Sequence, residues 1–197
     1  VRLGLVARAT AVTALTALLL VTSACGGGDS KTPASAPVRE ESPSASPSPT
    51  ATPPQLPSAS GNTSAGRIAF ATYFVKAYNY AFATNDATPI TSVGATGKRT
   101  RCTMCTELKT YLDGQQAKGL HLEPADLPVK RAFETARVLD NVWVVDIQSR
   151  AGKRADVDAS GHAVKTYPAK KNYLIEVGVA WENGRYRLTG WKSGENK

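Results

Sequence analysis

Tyr173-Leu174-Ile175-Glu176-Val177-Gly178-Val179-Ala180-Trp181-Glu182-Asn183-Gly184-Arg185-Tyr186-Arg187-Leu188 is the stretch that decides the fold. Tyr173, Ile175, Val177, Val179 and Trp181 share one face of an extended chain, because successive side chains of a strand alternate. Asn183-Gly184 supplies the positive-φ pair of a tight hairpin turn. Tyr186, Leu188 and Gly190 then fall on one face of the returning strand, and Arg187, Thr189 and Trp191 on the other. Upstream, Trp143, Val145 and Ile147 alternate with Val144, Asp146 and Gln148. Asp158 to Gly161 marks a turn between Arg154-Ala155-Asp156-Val157 and His162-Ala163-Val164-Lys165. Consecutive hairpins pair antiparallel, so the chain after Val129 is expected in strands.

The sequence before it is helical. Phe70, Phe74, Ala77 and Ala81 recur at the spacing of one helical stripe, with Tyr73 and Tyr80 widening it. Ser64 is the candidate N-cap, Asn85-Asp86 ends the helix, and Thr88 to Val93 fits one further turn. A second helix is expected from Thr103, with Leu108, Tyr111, Leu112 and Gln115 on one face and Gly119 as its stop. Pro124 and Pro128 bracket a break. The fold class is therefore α+β, with N-terminal helices packed on a curved antiparallel sheet.

The first third of the chain reads differently. Arg2 and Arg8 flank the start of an apolar stretch running to Val21, the pattern of a secretory signal. The uninterrupted run after Arg8 falls short of the roughly 20 residues a permanent span needs. Val1 is read as a literally translated GTG start, a bacterial habit. The segment ends Val21-Thr22-Ser23-Ala24-Cys25. Small residues before a cysteine resemble a bacterial lipobox, which implies cleavage after Ala24 and a lipid on Cys25. Thr22 stands where that motif usually has Leu. Of the 12 prolines, eight lie between Pro33 and Pro57, among Ser, Thr, Ala and Gly. Such a stretch buries too little apolar surface to offset its ordering entropy. The expected organisation is a signal peptide over 1–24, a lipidated cysteine and disordered tether over 25–65, and one α+β domain over 66–197. A domain of about 130 residues is large enough for one core and excludes a TIM barrel, a two-domain enzyme and a multi-span membrane protein.

The order of elements resembles the nuclear transport factor 2-like cone. Tyr78-Asn79-Tyr80-Ala81-Phe82, the Cys102-Thr103-Met104-Cys105 pair, Asp158-Ala159-Ser160-Gly161 and Trp181-Glu182-Asn183-Gly184-Arg185-Tyr186 look like an actinobacterial lipoprotein family, domain of unknown function 6318. The resemblance implies a location and a fold, and it implies no established activity, because cones of this kind include isomerases, hydrolases and interaction modules.

Candidate chemistry is sparse. Cys102 and Cys105 are expected as a disulfide formed outside the cell and pinning the second helix. Zinc would need two further ligands, and only His121 and His162 are available beyond carboxylates. Asp156 to Gly161 matches the first six positions of a calcium loop, but Tyr167 stands where a bidentate Glu belongs, and a hairpin turn explains the same residues. Trp143, Trp181, Trp191, Tyr73, Tyr78 and Tyr80 could line an apolar pocket, with Tyr73, Tyr78, Trp143 and Trp181 as the four expected lining residues. Asp146 and Glu176 are the only candidates for a general base inside the cone, and they lie opposite the Trp143 and Tyr173 faces.

The whole chain carries +8, which outside the cell suits anionic headgroups or wall polymers and not nucleic acid. The function expected is that of a lipoprotein on the outer face of the cytoplasmic membrane. Its domain is non-enzymatic and binds an envelope protein or small ligand, without catalytic residues, metal or cofactor. An envelope enzyme using Asp146 or Glu176, or a thiol-redox protein, is the alternative. Exposed aromatics on a one-sided sheet also allow a homodimer.

Overall fold

The computed structural model describes residues 51–195. The signal segment, Cys25 and most of the tether lie outside the described residues. Helix α1, Ser64–Thr84, is capped by Thr63, one residue before the expected Ser64. Thr63 is in extended conformation and its hydroxyl accepts from the Gly66 N–H at 3.1 Å, so it satisfies a donor that the first helical turn leaves open. The helix ends where Asn85 adopts φ 59°, a left-handed conformation that Asn tolerates. Phe70, Phe74, Ala77 and Ala81 are all buried, as the stripe requires. Helix α2 is the single turn Thr88–Thr91, and α3 runs Thr103–Gln116. Gly119 stands at φ 66° in the turn that follows.

Four strands form the main antiparallel sheet in the order β2-β3-β6-β7: β2 Arg131–Leu139, β3 Val142–Ala151, β6 Lys170–Glu182 and β7 Arg185–Glu195. Asn183 and Gly184, at φ 51° and 74°, make the turn between β6 and β7. The inner face carries Val145, Ile147, Ile175, Val177, Val179 and Leu188, each no more than 3% exposed, and packs against α1. Fully burying one such side chain stabilises by roughly 1.5–3 kcal/mol, so this layer is the main source of cohesion.

Two features differ from the expectation. The sheet is not single. Strand β4, Arg154–Val157, pairs with β5, Ala163–Tyr167, and on its other side with β1, His121–Glu123, giving a separate three-stranded sheet. A three-residue strand is too short to carry a periodic signal, so β1 is invisible in the sequence. The second difference concerns Trp191. Gly178 pairs with Gly190 and Val179 with Leu188, so Thr189 is an extra residue on β7. This bulge reverses the alternation beyond it, and Gly190 absorbs the bend at φ 155°, a value L side chains rarely adopt. Trp191 therefore joins the face of Tyr186 and Leu188, where its ring lies 5.0 Å from that of Phe74.

The segment after α2 covers the β7 edge. The Ala95 N–H donates to the Leu188 carbonyl at 2.8 Å and the Leu188 N–H to the Val93 carbonyl at 2.9 Å. Covering an edge in this way removes a row of open strand donors and acceptors. The Cys102–Cys105 disulfide, S–S 2.05 Å, closes the first turn of α3 directly behind this segment. Both cysteines are buried.

Candidate functional site

A cleft of about 390 Å³ opens between the C-terminal half of α1, helix α3, the small sheet and the far end of β7. Its floor is aromatic. The Tyr78 ring lies 4.5 Å from Phe82 and 6.3 Å, edge-on, from Trp191, and Phe82 lies 5.9 Å from Tyr111. Met104, Leu108 and Leu122 complete the apolar surface. Helical spacing explains the first wall, since Tyr78 and Phe82 are four apart on α1, and Met104, Leu108 and Tyr111 follow the same rule on α3. Leu122 comes from β1 and Trp191 reaches the floor only through the β7 bulge.

The small sheet supplies the polar wall. Arg154 and Asp156 are two apart on β4 and so project from one face. Tyr167 is the cross-strand partner of Arg154, and its hydroxyl donates to Asp156 Oδ2 at 2.8 Å. Asp156 is only 6% exposed. Among the described residues, no hydrogen bond reaches its Oδ1. Arg154 Nε is buried without a hydrogen-bond partner, and it is the only such side-chain atom among the described residues. No ion pair among those residues includes Arg154. Leaving a buried donor unmade costs the group its full desolvation penalty, larger for a charged group than a neutral one.

The phenols report the same environment. Burial pushes the Tyr78 hydroxyl well above its ordinary range, with the Arg154 charge opposing. Tyr111 is pushed up to about 12, first by burial and then by the negative charge of Asp156. Tyr167 is raised by burial and by its hydrogen bond to Asp156. All three phenols are neutral donors at physiological pH.

Of the four expected pocket residues, only Tyr78 lines the cleft. Tyr73 is 6% exposed in the core and its hydroxyl donates to the Pro89 carbonyl at 2.8 Å. Trp143 lies beneath the Arg67 guanidinium, 4.1 Å from the ring centre. Trp181 packs edge-on against Tyr186 at 4.8 Å. Trp143 and Trp181 belong to the opposite end of the inner face, because strand alternation shares a face but not a depth along the strand, and Tyr73 faces α2 from helix α1. Arg154, Asp156 and Tyr167 are the polar residues that sequence reasoning missed as cleft residues. The available signal was the Arg-x-Asp alternation before the Asp158 turn.

The interior-base candidates are displaced as well. Asp146 and Glu176 are register partners in β3 and β6, with the parity opposite to Val145, Ile147, Ile175 and Val177. They stand on the outer face of the sheet, away from α1 and the cleft. Glu176 lies 3.5 Å from Lys192, and Asp146 accepts from the Thr135 hydroxyl at 3.3 Å. Burial, and then the Glu176 charge, raise the Asp146 pKa; Glu176 borders a polar hollow beside Lys192 and Glu195, and neither carboxylate lines the cleft. Neither carboxylate is therefore placed as a base inside the cone. In the calcium-like segment, Asp158 spends Oδ1 on the Ser160 N–H, the Ser160 hydroxyl and the His162 N–H, as a turn requires, while Asp156 faces the cleft. Among the described residues, no group of three or more His, Cys, Asp or Glu is placed to hold a metal ion, and no helix is long and apolar enough to cross a membrane.

A family model described as a family of unknown function, DUF6318, matches residues 41–191. No curated protein matches the chain. Among solved structures, the intermembrane space region of the chloroplast protein ARC6 aligns at 13% identity, over 64% of this chain and 95% of its own, with TM-score 0.45. A protein from Rhodospirillum rubrum, titled an NTF2-like protein of unknown function in nutrient uptake, aligns at 13% identity, over 64% and 98%, with TM-score 0.38. An uncharacterised protein with a cystatin-like fold from Caulobacter vibrioides aligns at 10% identity, over 64% and 87%, with TM-score 0.39. These likenesses transfer no activity.

Proposed function

This chain belongs to the DUF6318 family, which brings no assigned activity, and we propose that it is a membrane-anchored lipoprotein whose domain binds a small ligand in the aromatic cleft. The observation that carries the binding role is the cleft itself. A concave, mostly apolar surface of about 390 Å³ with a few convergent polar groups is the usual form of a small-molecule site. The one hydroxyl–carboxylate pair in it, Tyr167 on Asp156, is a phenol whose pKa is raised by burial and by that hydrogen bond, which suits a donor better than a nucleophile.

The anchoring part rests on sequence. The basic start, the apolar stretch to Val21 and the small residues before Cys25 support export, cleavage after Ala24 and lipidation of Cys25, in an actinobacterial setting and on the outer face of the cytoplasmic membrane. A buried acyl chain contributes about 0.8 kcal/mol per methylene, so two or more chains would hold the protein firmly. The Pro/Ser/Thr-rich segment would then act as a spacer, reaching about 35 Å as a flexible coil of roughly 40 residues.

The two parts are tested separately. Globomycin should make an uncut precursor accumulate; normal maturation in its presence removes the lipoprotein reading. For the cleft, Met104→Trp should fill the space and abolish uptake of the neutral dye Nile red by the full chain. Uptake unchanged by the substitution removes the cleft as the binding site.

A further inference from the structure

Resting on the cleft as a binding site, we infer that its ligand is a small zwitterion with an apolar body, its carboxylate held by Arg154 and its ammonium by Asp156. Arg154 is the group that demands explanation. None of its guanidinium N–H groups makes a hydrogen bond among the described residues, and of its nitrogens only Nε is closed to solvent; a guanidinium presents a planar fork that matches a carboxylate in bidentate fashion. An anionic ligand group would supply the acceptor that the protein withholds.

A bare anion does not complete the match. Asp156 is nearly buried and has one oxygen engaged by the Tyr167 hydroxyl, which leaves Oδ1 able to accept. Glu107 stands at the rim on α3. One cation and two carboxylates face the cleft, so a phosphate or dicarboxylate would enter a net negative site. A bare cation would meet Arg154. A ligand carrying both charges offsets each of them, and Arg154 and Asp156 stand about 7 Å apart along one strand face, within reach of two groups on adjacent ligand atoms through their flexible side chains. The rest of the ligand is apolar and preferably flat, because Tyr78, Phe82 and Trp191 present ring faces and edges to it. An aromatic or large aliphatic α-amino acid, free or as the end of a short peptide, has this chemistry.

The test titrates the full chain calorimetrically with phenylalanine, hydrocinnamate, phenethylamine and toluene, which carry both charges, the carboxylate alone, the ammonium alone and neither. Phenylalanine should bind most tightly, by about tenfold over either single-charge probe. Arg154→Gln should weaken phenylalanine and hydrocinnamate about tenfold and leave phenethylamine no weaker. Asp156→Asn, which keeps an acceptor for Tyr167, should weaken phenylalanine and phenethylamine and spare hydrocinnamate. If phenethylamine or toluene binds as well as phenylalanine, or Arg154→Gln changes nothing, the zwitterion assignment is overturned while the cleft stands. If none of the four binds but Nile red does, and Met104→Trp blocks it, the ligand class falls alone. If no probe or dye binds, both fall. The wild-type probe series needs no variant, so a folding defect in either substitution leaves the assignment open to refutation.

Discussion

Two arginines at opposite ends of α1 solve the same problem in opposite ways. Arg67, in the first turn of the helix, is 7% exposed. Its Nε and Nη2 donate to Glu134, at 2.6 and 3.2 Å, its Nη1 donates to Asn62 at 2.7 Å, and its plane covers Trp143. Tyr186 closes the same corner by accepting from the Thr63 N–H at 3.1 Å and donating to the Gly61 carbonyl. Every part of that cluster is used, and nothing is left to offer a ligand. Arg154, beyond the other end of the helix, borders open space with a buried donor unmade. A saturated polar cluster holds a fold together; an unsaturated one beside a cavity holds something else. The comparison teaches that burial of a charge identifies a site only when its partners are counted.

Substitutions can break that contrast. Arg67→Ala strips Glu134 of its partner and uncovers Trp143, and should cost about 3 kcal/mol in urea unfolding of the full chain. Glu134 retains some solvent contact, 24% of its side chain, so the loss stays below that of a fully buried pair. A loss near zero would make the two arginines alike. Reducing the disulfide, or replacing Cys102 and Cys105 by Ser, should cost roughly 2 kcal/mol from loop-closure entropy. The buried sulfurs should resist mild reductant in the native state, and ready reduction would revive the thiol-redox reading. Tyr186→Phe removes the hydroxyl that serves Thr63 and Gly61 and should cost about 1–2 kcal/mol. Arg154→Gln should leave stability within about 1 kcal/mol of the native chain, or raise it, since a buried donor without a partner is removed.

The smallest effect lies on the outer face of the sheet. Asp146 has its folded pKa raised by burial and by Glu176. For an acid, this means stability falls as pH rises from 3.8, the ordinary carboxylate value, through the folded pKa, and the deficit persists above it. Asp146→Asn should therefore raise the melting temperature slightly at neutral pH, with a gain under about 0.5 kcal/mol that vanishes below the ordinary carboxylate range. A loss instead would mean that Asp146 has a stabilising partner.

Much of the frame was legible because it rests on periodicity. The Tyr173 to Trp181 face, the Asn183-Gly184 turn and the Phe70 to Ala81 stripe each follow from a repeat of two or of about 3.6 residues. The site was less legible. Trp191 reaches the cleft because one extra residue on β7 reverses its side, and Thr189-Gly190 announces no bulge in a sequence that otherwise alternates. Asp156 was visible, but its neighbours Asp158 and Gly161 drew it into a calcium-like pattern. Only the pairing of β4 with β5 separates the carboxylate that faces the cleft from the one that closes the turn. Leu122 enters from a three-residue strand. Trp143 and Trp181 show the converse: an aromatic side chain on the correct face is not thereby at the correct depth.

The most direct test of the cleft as a binding site is native mass spectrometry of the full chain after incubation with an envelope extract of the producing organism, run beside Met104→Trp. The account predicts a reproducible small-molecule adduct on the native chain that is absent from the filled variant. No adduct on either chain, or the same adduct on both, would contradict it.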